Sequence, residues 1–89
     1  MIGIKEVWHR IEDHAGETFR QIKGGEFTYI VESGHVYVSR TDQRIPKSHF
    51  EKALTLVPLV NTVPLHKKFR GPSFIYAILM DDRIRRNDW

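Results

Sequence analysis

The sequence predicts a single α+β domain over residues 1–89, in the order α-β-β-β-α-α, with an antiparallel three-stranded sheet packed on helices. Three observations carry that expectation: a helical apolar spacing at the start, a central stretch of short β-branched and aromatic runs broken by glycine, and helix start signals in the second half. The length agrees, because 89 residues supply one modest core. A chain of that size hides roughly 60–65% of the surface it exposes when unfolded.

Ile4, Val7, Trp8 and Ile11 fall at i, i+3, i+4 and i+7 and define the buried face of a first helix at about residues 3–14, with Glu6, Arg10, Glu12 and Asp13 opposite. Gly16 stands where a C′ glycine would end it. Thr18–Ile22, Phe27–Val31 and Val36–Ser39 then read as the strands of a meander. They are joined by Lys23-Gly24-Gly25-Glu26 and Glu32-Ser33-Gly34-His35, whose glycines supply the positive φ of tight hairpin turns. Ser48-His49-Phe50-Glu51 matches a capping box and predicts the start of a second helix, with Phe50, Ala53, Leu54 and Val57 buried and Pro58 stopping it. Residues 59–65 read as an extended, packed connector between Pro58 and Pro64. Gly71-Pro72-Ser73 opens a third helix at about 73–82, apolar almost all round, and residues 83–89 read as a frayed or partner-dependent tail.

Composition narrows the function classes. No apolar run approaches the ~20 residues of a membrane span, and the N-terminal residues lack a signal-peptide layout, so a cytoplasmic protein with no membrane partner is expected. The absence of cysteine removes disulfides, thiolate metal sites and thiol nucleophiles together. His9, His14, His35, His49 and His66 show no metal-ligand spacing, so neither a metal nor another cofactor is expected. Ser48 and His49 are adjacent in a helix start and point apart, and Gly24-Gly25 lacks the lysine and helix of a phosphate loop. No small-molecule ligand is implied, and no catalytic motif is found. A minor enzymatic reading is left: small ribonucleases can work with a His, a Glu and an Arg on a sheet, and His35, Tyr37, Arg40 and Arg44 supply such types without a specific spacing.

Charge is unevenly placed. Residues 1–39 carry four basic and six acidic side chains, and residues 40–89 carry ten basic and five acidic. Nine of the ten basic residues of the second half, all but Lys52, fall into three groups at element ends: Arg40, Arg44 and Lys47; Lys67, Lys68 and Arg70; Arg83, Arg85 and Arg86. Clustered cations raise the local concentration of polyanions, and phosphate contacts are their commonest use. DNA or RNA is therefore the leading expected partner, bound without catalysis. Phe69 could stack on a base. A helix-turn-helix is not expected, since more than ten residues separate the second and third helices. The α-β-β-β-α order of the first 57 residues matches double-stranded-RNA-binding domains, with Lys47 and Lys52 a thin version of their basic second helix.

The alternative partner is protein. Leu59, Val60, Val63 and Leu65 form a proline-flanked apolar stretch and Trp89 lies at the end of the sequence, which together could form a self-association patch or a homodimer contact.

One resemblance can be added. Phe27-Thr28-Tyr29, Ser39-Arg40-Thr41, Ile45-Pro46-Lys47-Ser48, Phe50-Glu51-Lys52-Ala53-Leu54 and Gly71-Pro72-Ser73-Phe74-Ile75-Tyr76-Ala77-Ile78-Leu79 resemble a family of small uncharacterised bacterial proteins over about residues 17–84. That family is similar to orphan products of mobile genetic elements. The resemblance implies a shared fold and transfers no catalytic residue.

Overall fold

Helix α1, Ile4–Asp13, forms where the apolar spacing places it and buries Val7, Trp8 and Ile11. Arg10, expected on its solvent face, is only 8% exposed. The computed structural model describes residues 2–39, 41–66 and 69–89. His14 caps α1, so the helix ends before Gly16, which takes φ +88° and donates its amide to the Tyr29 carbonyl at 2.8 Å. That glycine ties the helix exit to the sheet.

The β region departs from the expected meander in its pairing. Strands β1 (Phe19–Arg20) and β2 (Glu26–Phe27) pair only with each other, as a two-stranded ribbon with Phe19 opposite Phe27. The long second run breaks at Thr28, whose amide donates to Ser39 Oγ and whose carbonyl accepts from the Ser39 amide, both at 2.9 Å. The three-stranded antiparallel sheet is built instead from β3 (Tyr29–Glu32), β4 (His35–Val38) and β5 (Arg44–Pro46), in that order. Ser33 and Gly34 turn β3 into β4 with φ of 51° and 75°, as a primed two-residue hairpin requires. β5 lies outside the three expected strands; it is three residues long and buries only Ile45, too little for an alternating pattern to mark it. Its proline is tolerated because β5 pairs on one side only.

Helix α2 is Lys47–Ala53, and the capping box does not form. The Lys47 amide donates to the Gly34 carbonyl at 2.9 Å, so the chain passes from β5 into helix with Pro46 at the cap and Ser48 already inside the first turn. The connector holds a 3-10 turn at Val63–Leu65 rather than a fully extended path. Helix α3, Pro72–Leu79, uses Pro72 in its first turn after a left-handed Gly71 at φ +56°. The residues expected to fray form a further helix, α4, at Asp82–Arg85. Asp81 Oδ1 caps it by accepting the Arg83 amide at 2.9 Å, Ile84 is fully buried, and Trp89 Nε1 donates to the Leu79 carbonyl at 2.8 Å.

One continuous core joins these pieces. Phe19 and Tyr29 pack at 5.2 Å, Trp8 meets Phe50 edge-on at 5.9 Å, and Tyr29 donates its buried hydroxyl to the Ile11 carbonyl at 2.6 Å. Val36, Val38 and Ile45 face this core. Strand alternation therefore sends Ile30, Glu32, His35, Tyr37, Arg44 and Pro46 to the opposite face of the sheet, where Ile30 is 56% exposed. No helix of the described residues is long and apolar enough to cross a membrane.

Candidate nucleic-acid interface

The three basic groups do not share one fate. Arg44 is exposed on β5, directly across from Tyr37 of β4. Arg70 is exposed in the segment before α3, which is held against α2 by its own amide donating to His49 Nδ1 at 3.1 Å. Arg44 and Arg70, drawn from two different basic groups, line one surface cavity of about 340 Å³ together with Tyr37, Val38, Thr41, Asp42 and Gln43. Gly71 allows this approach. A β-carbon at its position would stand 3.1 Å from Ile45 Cδ1 and 3.6 Å from Gln43 Oε1, so the segment runs close along β5. Arg40, Lys67 and Lys68 lie outside the described residues.

His49 sets the electrostatics of this anchor. Burial lowers its pKa, and the charges of Lys52 and Arg70 push the same way. A neutral ring leaves Nδ1 free to accept the Arg70 amide, while Phe69 packs edge-on to the ring at 5.7 Å. Phe69 is thus a packing partner of α2 and lies partly buried against the core.

The remaining cations are engaged elsewhere. Lys47 Nζ lies 5.8 Å from the Trp8 ring centroid, turned toward α1. Arg83 donates to Asp81 Oδ1 at 2.8 Å, to Glu17 Oε1 at 3.0 Å and to the Thr18 carbonyl at 2.8 Å, and its guanidinium sits 3.9 Å over the Phe19 ring. The hydrogen bonds that Arg83 donates to Asp81 and Glu17 raise its pKa further. Arg85 donates Nε to the Trp89 carbonyl at 2.8 Å, and exposed Arg86 donates Nε back to the Arg83 carbonyl at 3.1 Å. Arg83 and Arg85 work within the fold: Asp81 is a local partner two residues from Arg83, whereas Glu17, the Thr18 carbonyl and the Trp89 carbonyl are acceptors that only the folded chain brings into place.

The apolar stretch is divided in the same way. Leu59 and Leu65 are core residues, and Trp89 is partly buried against that core, whereas Val60 is 84% and Val63 67% exposed. Val63 also lines an open groove of about 610 Å³ with Lys52, Thr55, Leu56, Pro64, His66 and Phe69. Leu56, which the helical spacing of α2 does not single out, is 41% exposed there.

The residue types of the ribonuclease reading do meet on the outer sheet face. His35 and Tyr37 stand 6.2 Å apart on β4, Glu32 is opposite His35, and Arg44 is opposite Tyr37. His35 Nδ1 lies 2.9 Å from the Ser33 carbonyl and donates to it in the tautomer that bond selects. Among the described residues, no group of three or more His, Asp or Glu side chains could hold a metal ion.

No protein-family model matches the chain, and no match is found among curated proteins or solved structures.

Proposed function

We propose that this chain is a small non-enzymatic nucleic-acid-binding accessory protein whose phosphate contacts are Arg44 and Arg70. The observation that supports the reading most is their convergence. Two arginines distant in sequence, neither of them in an ion pair among the described residues, line one exposed cavity beside an aromatic ring. Arginine suits such a surface because its planar fork donates to phosphate oxygens in pairs. In the sequence, Arg40 stands next to Thr41 of that cavity and Lys68 next to Phe69, so the two converging segments carry further cations. Arg83 and Arg85 have no part in this reading, since their guanidinium groups are committed within the fold. An accessory role accords with the resemblance to products of bacterial mobile elements.

The test is electrophoretic retardation of labelled duplex DNA, single strands and structured RNA at low salt, with wild type and with Arg44→Glu/Arg70→Glu. Retardation by the wild type and its loss in the double variant supports the reading. Failure of every polymer to shift overturns it.

A second reading has its own observation. Leu56, Val60 and Val63 expose aliphatic surface, and Leu56 and Val63 line the 610 Å³ groove, which suits a protein-interaction or homodimerisation module. Light scattering across a concentration series, with Val63→Asp as the disrupting variant, separates it from the first. A concentration-independent monomer counts against self-association.

A further inference from the structure

We infer that the polymer bound at the Arg44–Arg70 surface is a single strand, with one base stacked on the Tyr37 ring; the inference rests on the nucleic-acid reading above. Tyr37 stands on the outer face of the sheet because Val36 and Val38 occupy the inward positions of β4. Its cross-strand neighbours there are Ile30 and Arg44, and the His35 ring lies 6.2 Å away at an interplanar angle of 49°. This half-exposed aromatic and aliphatic platform is bordered by cations on one side. A duplex keeps its base faces inside the stack and offers a protein only phosphates and groove edges. A single strand can lay a base face on the ring while its phosphates reach the arginines, the combination that single-strand-binding surfaces use.

The carboxylates point the same way. Asp42 lines the cavity beside both arginines, and a surface meant for phosphates alone gains nothing from an anion at that place. An acceptor there suits the exocyclic amino group of a base, and the Gln43 amide can add a donor or a second acceptor to the same edge. Glu32, exposed on the outer face across from His35, repels phosphates from the far end of the platform. The backbone of the strand is thereby confined to the Arg44 and Arg70 side, with its base turned inward over Tyr37.

The experiment is fluorescence anisotropy at low salt, using a labelled single-stranded DNA, the matching single-stranded RNA and a duplex of the same sequence. Tyr37→Ala should weaken single-strand binding about tenfold or more, the range for loss of one base–aromatic stack, and leave duplex binding unchanged. Tyr37→Phe should bind as the wild type does. As a readout independent of the alanine variant's folding, Tyr37→Trp should lose part of its added emission when a single strand binds. Equal losses for duplex and single strand in Tyr37→Ala, or no quenching in Tyr37→Trp, overturn the single-strand inference and leave the nucleic-acid reading standing. If the wild type binds none of the three polymers, both fail.

Discussion

The Arg10 guanidinium donates to the Ile84 carbonyl at 2.8 Å, a bond that spans 74 positions of the chain. A second reach, at 3.3 Å, goes to the Arg85 carbonyl, and Asp88 closes the cluster with an ion pair at 2.7 Å. Arg10 thereby serves the last carbonyls of α4, which has no glycine cap of its own and ends on a left-handed Arg86. Arg10→Met keeps the aliphatic stem and removes these bonds. It should cost about 2–3 kcal/mol in urea unfolding, because a charged donor serving buried carbonyls leaves them unmet when it goes. Asp88→Asn should cost under about 1 kcal/mol, since that side chain is one-third exposed.

Arg83 should behave as a structural residue. Arg83→Ala should lower stability by about 1–2 kcal/mol through its lost bonds and its lost cover over Phe19, without changing the salt dependence of nucleic-acid binding. Acidification provides a second check. The hydrogen bond with His14 holds the Glu17 carboxyl below its ordinary value of 4.5, and Arg83 adds to this. Burial alone would raise Asp81, but the Arg83 hydrogen bonds outweigh it and hold that carboxyl low. Both carboxylates therefore stabilise the fold above their ordinary values, and that stabilisation is lost as pH falls through the depressed ones. The variant should lose less stability than wild type between pH 5 and about pH 2, followed by circular dichroism.

Much of the fold was legible because it follows from periodicity and turn chemistry. The Ile4, Val7, Trp8, Ile11 spacing located α1, Ser33-Gly34 located a hairpin, and Pro72 located the start of α3. What escaped was decided by bonds between distant segments. Pairing of Ser39 with Thr28 splits one expected strand into β2 and β3, and the Lys47 amide, held by Gly34, starts α2 before the capping box can act. The site was half legible. Arg44 and Arg70 were chosen for charge, but their closeness depends on a tight pass of Gly71 along β5, and the separation of Arg83 from them depends on Glu17, 66 positions away.

His49 should make the Arg70 segment sensitive to pH. Its folded-state pKa is lowered from 6.5 by burial first and by the charges of Lys52 and Arg70 second. Its neutral form thus stabilises the fold above pH 6.5, and that contribution is lost as pH falls through the depressed folded value. Protonation also converts Nδ1 from acceptor to donor and breaks the bond from the Arg70 amide. In an amide-resolved NMR titration from pH 7.5 downward, the Arg70 amide should shift and lose exchange protection together with the His49 ring signals. His49→Phe should abolish the coupling.

Gly71→Ala tests the close approach that brings Arg70 beside Arg44. The substitution imposes a side chain at φ +56° and places its β-carbon 3.1 Å from both Ile45 Cδ1 and Phe74 Cδ2. It should destabilise the fold by about 1–2 kcal/mol and weaken nucleic-acid binding at the same time.

The most direct test of the central claim is the salt dependence of that binding, for wild type and for Arg44→Ala/Arg70→Ala. Each phosphate contact releases condensed counterions, so removing both arginines should make the slope of log K against log salt shallower by about 1.4 for a single strand or about 1.8 for a duplex. Arg83→Ala should leave the slope as it is. A double variant whose slope matches the wild type would contradict the assignment of Arg44 and Arg70 as the phosphate contacts.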